Sequence, residues 1–209
     1  MLASLLLRLG ALGPLIFYGV IVAGGFMSPG FNHMTQQVSD LGKAGASTAT
    51  LFNYGLMAAG GAIVLGGLGF LLGTRKLGGG LLMPLLAGLA IALFGAAFIL
   101  AGLHPMPDPM HDAYKLGYAG IAAPLFAFLA LGDRSELSGA KTLAVISFLV
   151  SVVLVVLIMN IGGFNLVHKT DAGLWQRGLI AATTLWMLSA FLSIPAALAA
   201  KERKRAATY

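Results

Sequence analysis

The chain has no cysteine and very little charge: of its 209 residues, only 10% are Asp, Glu, Lys or Arg. Without cysteine there is no disulfide, no thiolate metal site and no cysteine nucleophile. Soluble domains carry about 25% charged residues, so the scarcity of charge excludes an ordinary soluble fold. Acidic residues are the rarer sign, seven against thirteen Lys and Arg. The resulting net charge of +6 is clustered at the ends of apolar runs. It therefore reports orientation in a bilayer and gives no sign of a nucleic-acid surface. A period-two pattern is also missing, which leaves a transmembrane barrel without support.

Long apolar runs dominate what is present. Hydrophobic residues make up 58% of the chain, and the mean hydropathy is +0.91. A helix needs about 20 apolar residues to cross the hydrocarbon layer. Six runs meet that need, at about 10–27, 50–73, 80–103, 114–131, 143–162 and 178–200. The expected fold is all-α, a single transmembrane domain over 1–209 built as a six-helix integral membrane bundle. The first run has Arg8 before it, as a signal peptide would, but lacks a small-residue cleavage site and reads as a retained helix.

Lysine and arginine orient the bundle. With the N-terminus inside, the inner segments hold nine of them: Arg8, Arg75, Lys76, Arg134, Lys141, Lys201, Arg203, Lys204 and Arg205. The outer segments hold four: Lys43, Lys115, Lys169 and Arg177. Both termini are expected to be cytoplasmic, in a multi-pass protein of the cell (inner) membrane. All four histidines, His33, His104, His111 and His168, then fall in extracytoplasmic loops.

Glycine is abundant, with 29 residues. Gly88, Gly95 and Gly102 recur every seven residues in the third run, and Gly66, Gly69 and Gly73 mark the second. Only small residues let membrane helices approach closely, so these stripes are read as packing faces.

The polar residues of the outer loops are the candidate site. His104-Pro105-Met106-Pro107-Asp108-Pro109-Met110-His111-Asp112 is a strap whose alternate prolines deny it helix. Asp112 or Asp108 is expected to cap the helix that follows. The sharper expectation is a metal site, zinc or another divalent ion, held by His33, His104, His111 and Asp108. Imidazole and carboxylate are zinc ligands, and a catalytic site keeps one position open for water. No established zinc signature matches that spacing. Asp40, Asp108 and Ser39 are the candidate catalytic residues, although no nucleophile-elbow motif surrounds the serine. Arg177, Asn53 and Trp175 are the candidate substrate-binding residues. Asn53 is polar inside an apolar run and should face the bundle. Trp175 and Arg177 stand where an interfacial belt is expected.

Val38-Ser39-Asp40-Leu41-Gly42, the strap from His104 to Asp112, and the pair Gln176-Arg177 together resemble the Domain of Unknown Function 998 family of bacterial and archaeal membrane proteins. The resemblance runs over nearly the whole six-helix layout. It implies an integral membrane protein of unassigned activity and draws attention to Asp40, Asp108, His111 and Arg177.

Two functions are compatible with these residues. The first is a metal-assisted hydrolase acting on a lipid or another amphiphile. It requires the histidines and an aspartate to converge. The second is a non-enzymatic protein that binds or moves a lipid or small solute, which requires a cavity reaching into the bilayer. Membrane lipids are the expected partners, and oligomeric state is left open. Charges are nearly absent from the helix centres, which disfavours a pump. A haem protein would place its histidines within the helices.

Overall fold

The computed structural model describes residues 1–208. Six helices long and apolar enough to cross a membrane are present among the described residues. They are built on α1 (Leu2–Met27), α2 (Ala49–Lys76), α3 (Leu82–Leu103), α4 (Ala119–Leu131), α5 (Ser138–Ile158) and α6 (Ala172–Ala206), the fourth span starting ahead of α4 at Pro109 and the fifth ahead of α5 at Ser135. No strand occurs among the described residues, as expected where backbone groups in hydrocarbon must be satisfied within each segment. Successive helices run antiparallel and pack as a ring, α1 on α2, α2 on α3, α3 on α4, α4 on α5, α5 on α6 and α6 back on α1. Both termini lie at one end of the ring, and all four histidines lie towards the other, here called the histidine end.

Several boundaries differ from the sequence expectation, that of α5 among them, which runs Ser138–Ile158 against the expected 143–162. α1 begins at Leu2, so Arg8 is a helical residue with its side chain exposed. α6 begins at Ala172, ahead of the apolar run at 178–200, and runs 35 residues, so Trp175, Gln176 and Arg177 lie inside its first two turns. The fourth span is composite: α4 itself has 13 residues, preceded by a 3₁₀ run of 10 residues, Pro109–Tyr118. Such runs rarely exceed about 3–4 residues. None of its residues is buried.

The glycine stripes pack as expected. A Cβ placed on Gly88 would stand 2.8 Å from the carbonyl oxygen of Gly67, and one on Gly95 2.6 Å from that of Gly60. One on Gly102 would stand 2.7 Å from the carbonyl oxygen of Asn53. α2 and α3 are therefore in backbone contact along their length. Gly69 admits the backbone of Leu7 of α1 in the same way, and Gly73 the side chains of Ile194 and Leu7.

Towards the terminal end the ring closes on a solid core. Trp186, Met187 and Phe191 of α6 fill its centre, against Leu7, Ile63, Phe70 and Ile91. α4 contributes Ala123, Ala127 and Ala130 to the same cluster. Backbone carbonyls at this end are tied by basic side chains: Lys201 donates to Lys76 at 2.8 Å, and Arg134 to Leu131 at 2.6 Å. α5 is the least embedded helix, burying only Ala140, Ala144, Ser147 and Ser151. These small residues form one stripe facing α6, where the Ser147 hydroxyl donates to the Ala182 carbonyl.

Candidate functional site

Nearer the histidines the ring does not close. A cavity of about 880 Å³ stands between α3, α5, α6 and the 3₁₀ run. Its depth is apolar and aromatic. Phe94, Ala97, Phe98 and Ala101 of α3 form one wall, and Leu179, Ile180 and Thr183 of α6 the opposite one. Val155, Ile158 and Met159 end α5 against it. Tyr114, Gly117, Tyr118 and Ile121 complete the circuit from the fourth span. Phe17, Phe94 and Phe98 form a ladder on this wall, with ring centroids 4.6 Å and 4.8 Å apart.

The first loop roofs the cavity, and its ties explain how. Ala44 N–H donates to the Met106 carbonyl at 2.9 Å, which joins the loop to the strap. Val38 N–H donates to Gln176 Oε1 at 2.8 Å, which joins it to α6. A second 3₁₀ turn, Val38–Gly42, begins with a capping box in which the Asp40 carboxylate accepts from Gln37 N–H at 2.9 Å. Asn53 donates to the Gly42 carbonyl at 2.9 Å. The Thr48 hydroxyl donates to the Leu41 carbonyl. Gln37, Ser39, Trp175 and Gln176 thus present polar atoms and an indole at the mouth.

The strap does not run extended as its prolines suggested. Asp108 N–H donates to the Pro105 carbonyl at 3.0 Å, closing a turn, because the φ that proline fixes suits a turn as well as an extended chain. Asp108, not Asp112, caps the following 3₁₀ run, accepting from Met110 N–H at 2.8 Å. Its other oxygen accepts from His104 Nδ1 at 3.0 Å. The hydrogen bonds from His104 and Met110 hold its carboxyl below the usual carboxylate range. His111 Nδ1 donates to the His104 carbonyl at 2.8 Å, which fixes the neutral ring with Nε2 as its acceptor. Asp112 is paired with Lys115 at 2.6 Å.

The candidate residues therefore separate into two groups. Ser39, Asp108, His111 and Trp175 line the cavity. His33, Asp40, Asn53, His104 and Arg177 do not. His33 folds over Gly25 of α1 and meets Phe31 edge-on at 5.0 Å. Desolvation and the nearby Arg177 push its pKa below the ordinary imidazole value. Arg177 is turned away from the cavity to staple the loop, donating to the carbonyls of Gln36 and Gly173, both at 2.8 Å. Its guanidinium lies 5.6 Å from the centre of the Phe31 ring. His168 is exposed, its amide bonded to Asp171 at 2.8 Å.

The expected metal set is not gathered. Among the described residues no three His, Asp or Glu side chains form a group able to hold a metal ion. The physical reason is local: His104 and Asp108 satisfy one another within one turn, and His33 is held on the α1 side of the loop. The residues that sequence reasoning missed are the cavity walls themselves, Phe94, Phe98, Tyr118 and Ile158 among them. In a sequence they are indistinguishable from core.

Fold and cavity define a six-helix membrane-type bundle, sealed towards one end and hollow towards the other. The chain belongs to the family described as protein of unknown function (DUF998), whose model matches residues 11–193. No curated protein and no solved structure matches it.

Proposed function

We propose that this protein binds the apolar part of a membrane amphiphile in the cavity at its histidine end, without chemical conversion. The cavity carries this reading. Sites for small molecules occupy about 300–1,000 Å³ and are mostly apolar with a few placed polar groups. A volume of about 880 Å³, walled by phenylalanines and aliphatic side chains, suits one hydrocarbon chain or a compact apolar solute. Ser39, Gln176, His111 and Asp108 at the mouth suit a polar head. Metal-assisted hydrolysis draws no support from the donor arrangement, in which His104 and Asp108 are spent on each other.

The excess of lysine and arginine at the terminal end supports a cell-membrane protein with that end cytoplasmic and the cavity opening outward.

The test is to fill the cavity from either wall, with Ala97→Trp and Leu179→Trp, and to extract and weigh the amphiphiles that co-purify with each protein. Wild type should carry an amphiphile at near-stoichiometric amount, and both filled variants should lose it while still folding. Equal retention by wild type and both variants would show the cavity is not where the molecule sits.

A further inference from the structure

The cavity wall has one side made of two elements with no packed interface between them. The 3₁₀ run Pro109–Tyr118 packs on α3 and α4, whereas α5 packs on α4 and α6. Yet Tyr118 on the one and Val155 and Ile158 on the other border the same cavity. Here the ring is bounded by a seam, not by a helix–helix contact.

The depth of that seam is fixed by helix geometry. α4 has 13 residues below Tyr118, which at 1.5 Å per residue puts Tyr118 about 20 Å above the terminal end of that helix. Val155 stands 17 residues beyond Ser138, where α5 begins, about 26 Å by the same rise. The hydrocarbon layer is about 30 Å thick. With the terminal ends of α4 and α5 at one edge of that layer, Tyr118 and Val155 lie at hydrocarbon depth, below the polar mouth formed by the strap and the first loop. Two of the side chains that border it are open to the surroundings: Tyr118 is 41% exposed and Met159 50%.

The element on one side is also the one best suited to move. A ten-residue 3₁₀ run has poorer hydrogen-bond geometry than an α-helix. It buries no side chain, so shifting it disrupts no core. α5, opposite, is anchored by its small-residue stripe on α6 and not by large core residues.

We infer that the seam between the 3₁₀ run and α5 is a lateral portal, through which a single hydrocarbon chain of a bilayer amphiphile enters the cavity directly from the membrane. The inference rests on the binding reading above and adds its route. The polar mouth then receives the head while the chain slides in from the side. The first loop, tied to both strap and α6, need not open.

The absence of native cysteine allows a clean test. Tyr118→Cys/Val155→Cys would be joined across the seam, and Met106→Cys/Ala172→Cys across the mouth, each by a flexible linker containing a reducible disulfide. The proteins, in lipid nanodiscs, would be mixed with vesicles carrying a dansyl-labelled fatty acid, and energy transfer from tryptophan followed in time. Compared with the same protein after reduction, linking the seam should slow both loading and release by about tenfold or more, with the affinity nearly unchanged, as a gate requires. Reduction should restore the rates, and the mouth link should leave them near those of its own reduced form. Unchanged rates with the seam linked, or slowing only with the mouth linked, would overturn the portal while leaving binding intact. No uptake by the unlinked protein with this or the co-purified amphiphile would overturn the binding reading, and the portal with it.

Discussion

Around Trp186 the helices close on a solid core, whereas nearer the histidines α3, α5 and α6 stand apart around about 880 Å³ of open space. The same helices build both regions. What differs is the side chain offered to the centre and the integrity of the fourth span. Towards the terminal end α4 is a regular helix showing alanines to Trp186 and Met187. Towards the other end its place is taken by a 3₁₀ run with no buried residue, and Leu179, Ile180 and Thr183 of α6 border open space there. Without a hydrophobic force between helices in lipid, close packing is what holds a bundle together. A bundle can be hollow at one end only where the other end is packed well enough to hold both.

The sharpest test of this contrast compares two aromatic truncations. Trp186→Ala should cost about 3–5 kcal/mol, because a filled site becomes a void. Phe98→Ala, on a wall already bordering open space, should cost much less. Reversible unfolding in mixed micelles reads both, and equal losses would erase the distinction between the regions. Next in size is Gly95→Leu, whose Cβ would stand 2.6 Å from the Gly60 carbonyl. Overpacking of that kind costs about 1–3 kcal/mol. Gly19→Ala, with nothing within 4 Å of the new methyl, should be neutral or slightly stabilising, and the pair separates packing from helix propensity in a melting series.

The roof of the hollow region is broken more gently. Arg177→Gln removes two charge-assisted hydrogen bonds to the Gln36 and Gly173 carbonyls, of which the one that holds the loop, to Gln36, is worth about 1.5 kcal/mol. Faster proteolysis between Ser28 and Thr48 should accompany it, and an unchanged cleavage rate would mean that the arginine does not hold the loop. The smallest expected effect is a pH dependence at the same loop. His33 has its folded pKa below the ordinary 6.5, so the unfolded chain takes up its proton first. Stability contributed by this residue is present above pH 6.5 and is lost as pH falls from there through the folded value. His33→Gln should flatten the melting temperature between about pH 7.5 and 5. A slope identical to wild type would place the titration elsewhere. Asp108, whose folded pKa is depressed, acts in a lower window. Its contribution is present above about pH 4 and disappears as pH falls further.

Much of the architecture was legible because each feature has a local cause. Runs of apolar residues and breaks of Gly, Pro and Asp marked every span, and glycines at seven-residue spacing marked the α2–α3 contact. The fourth span was legible only as a length. Periodicity does not separate a 3₁₀ run from an α-helix when the segment is mostly exposed. The histidines of the loops were all found, but their partners were not, and Gln37, which opens the capping box and lines the mouth, was missed. Arg177, expected to reach for a substrate, instead donates to the backbone of the loop it holds, and Asn53 serves the same loop. Carbonyl oxygens of a turn are invisible in a sequence, yet they are the acceptors that decide where a lone cation or amide points.

The sequence alone determined that this chain has six apolar helices, where they turn, and which end collects the histidines. Each follows from composition and spacing along one dimension, set by the thickness of a bilayer. Only the tertiary structure decided which apolar residues fill space and which enclose it. Phe191 and Phe98 are both phenylalanines on apolar helices. One is fully buried against Gly66, and the other lines a void, because burial depends on what the opposite helix presents, which one strand of sequence does not carry.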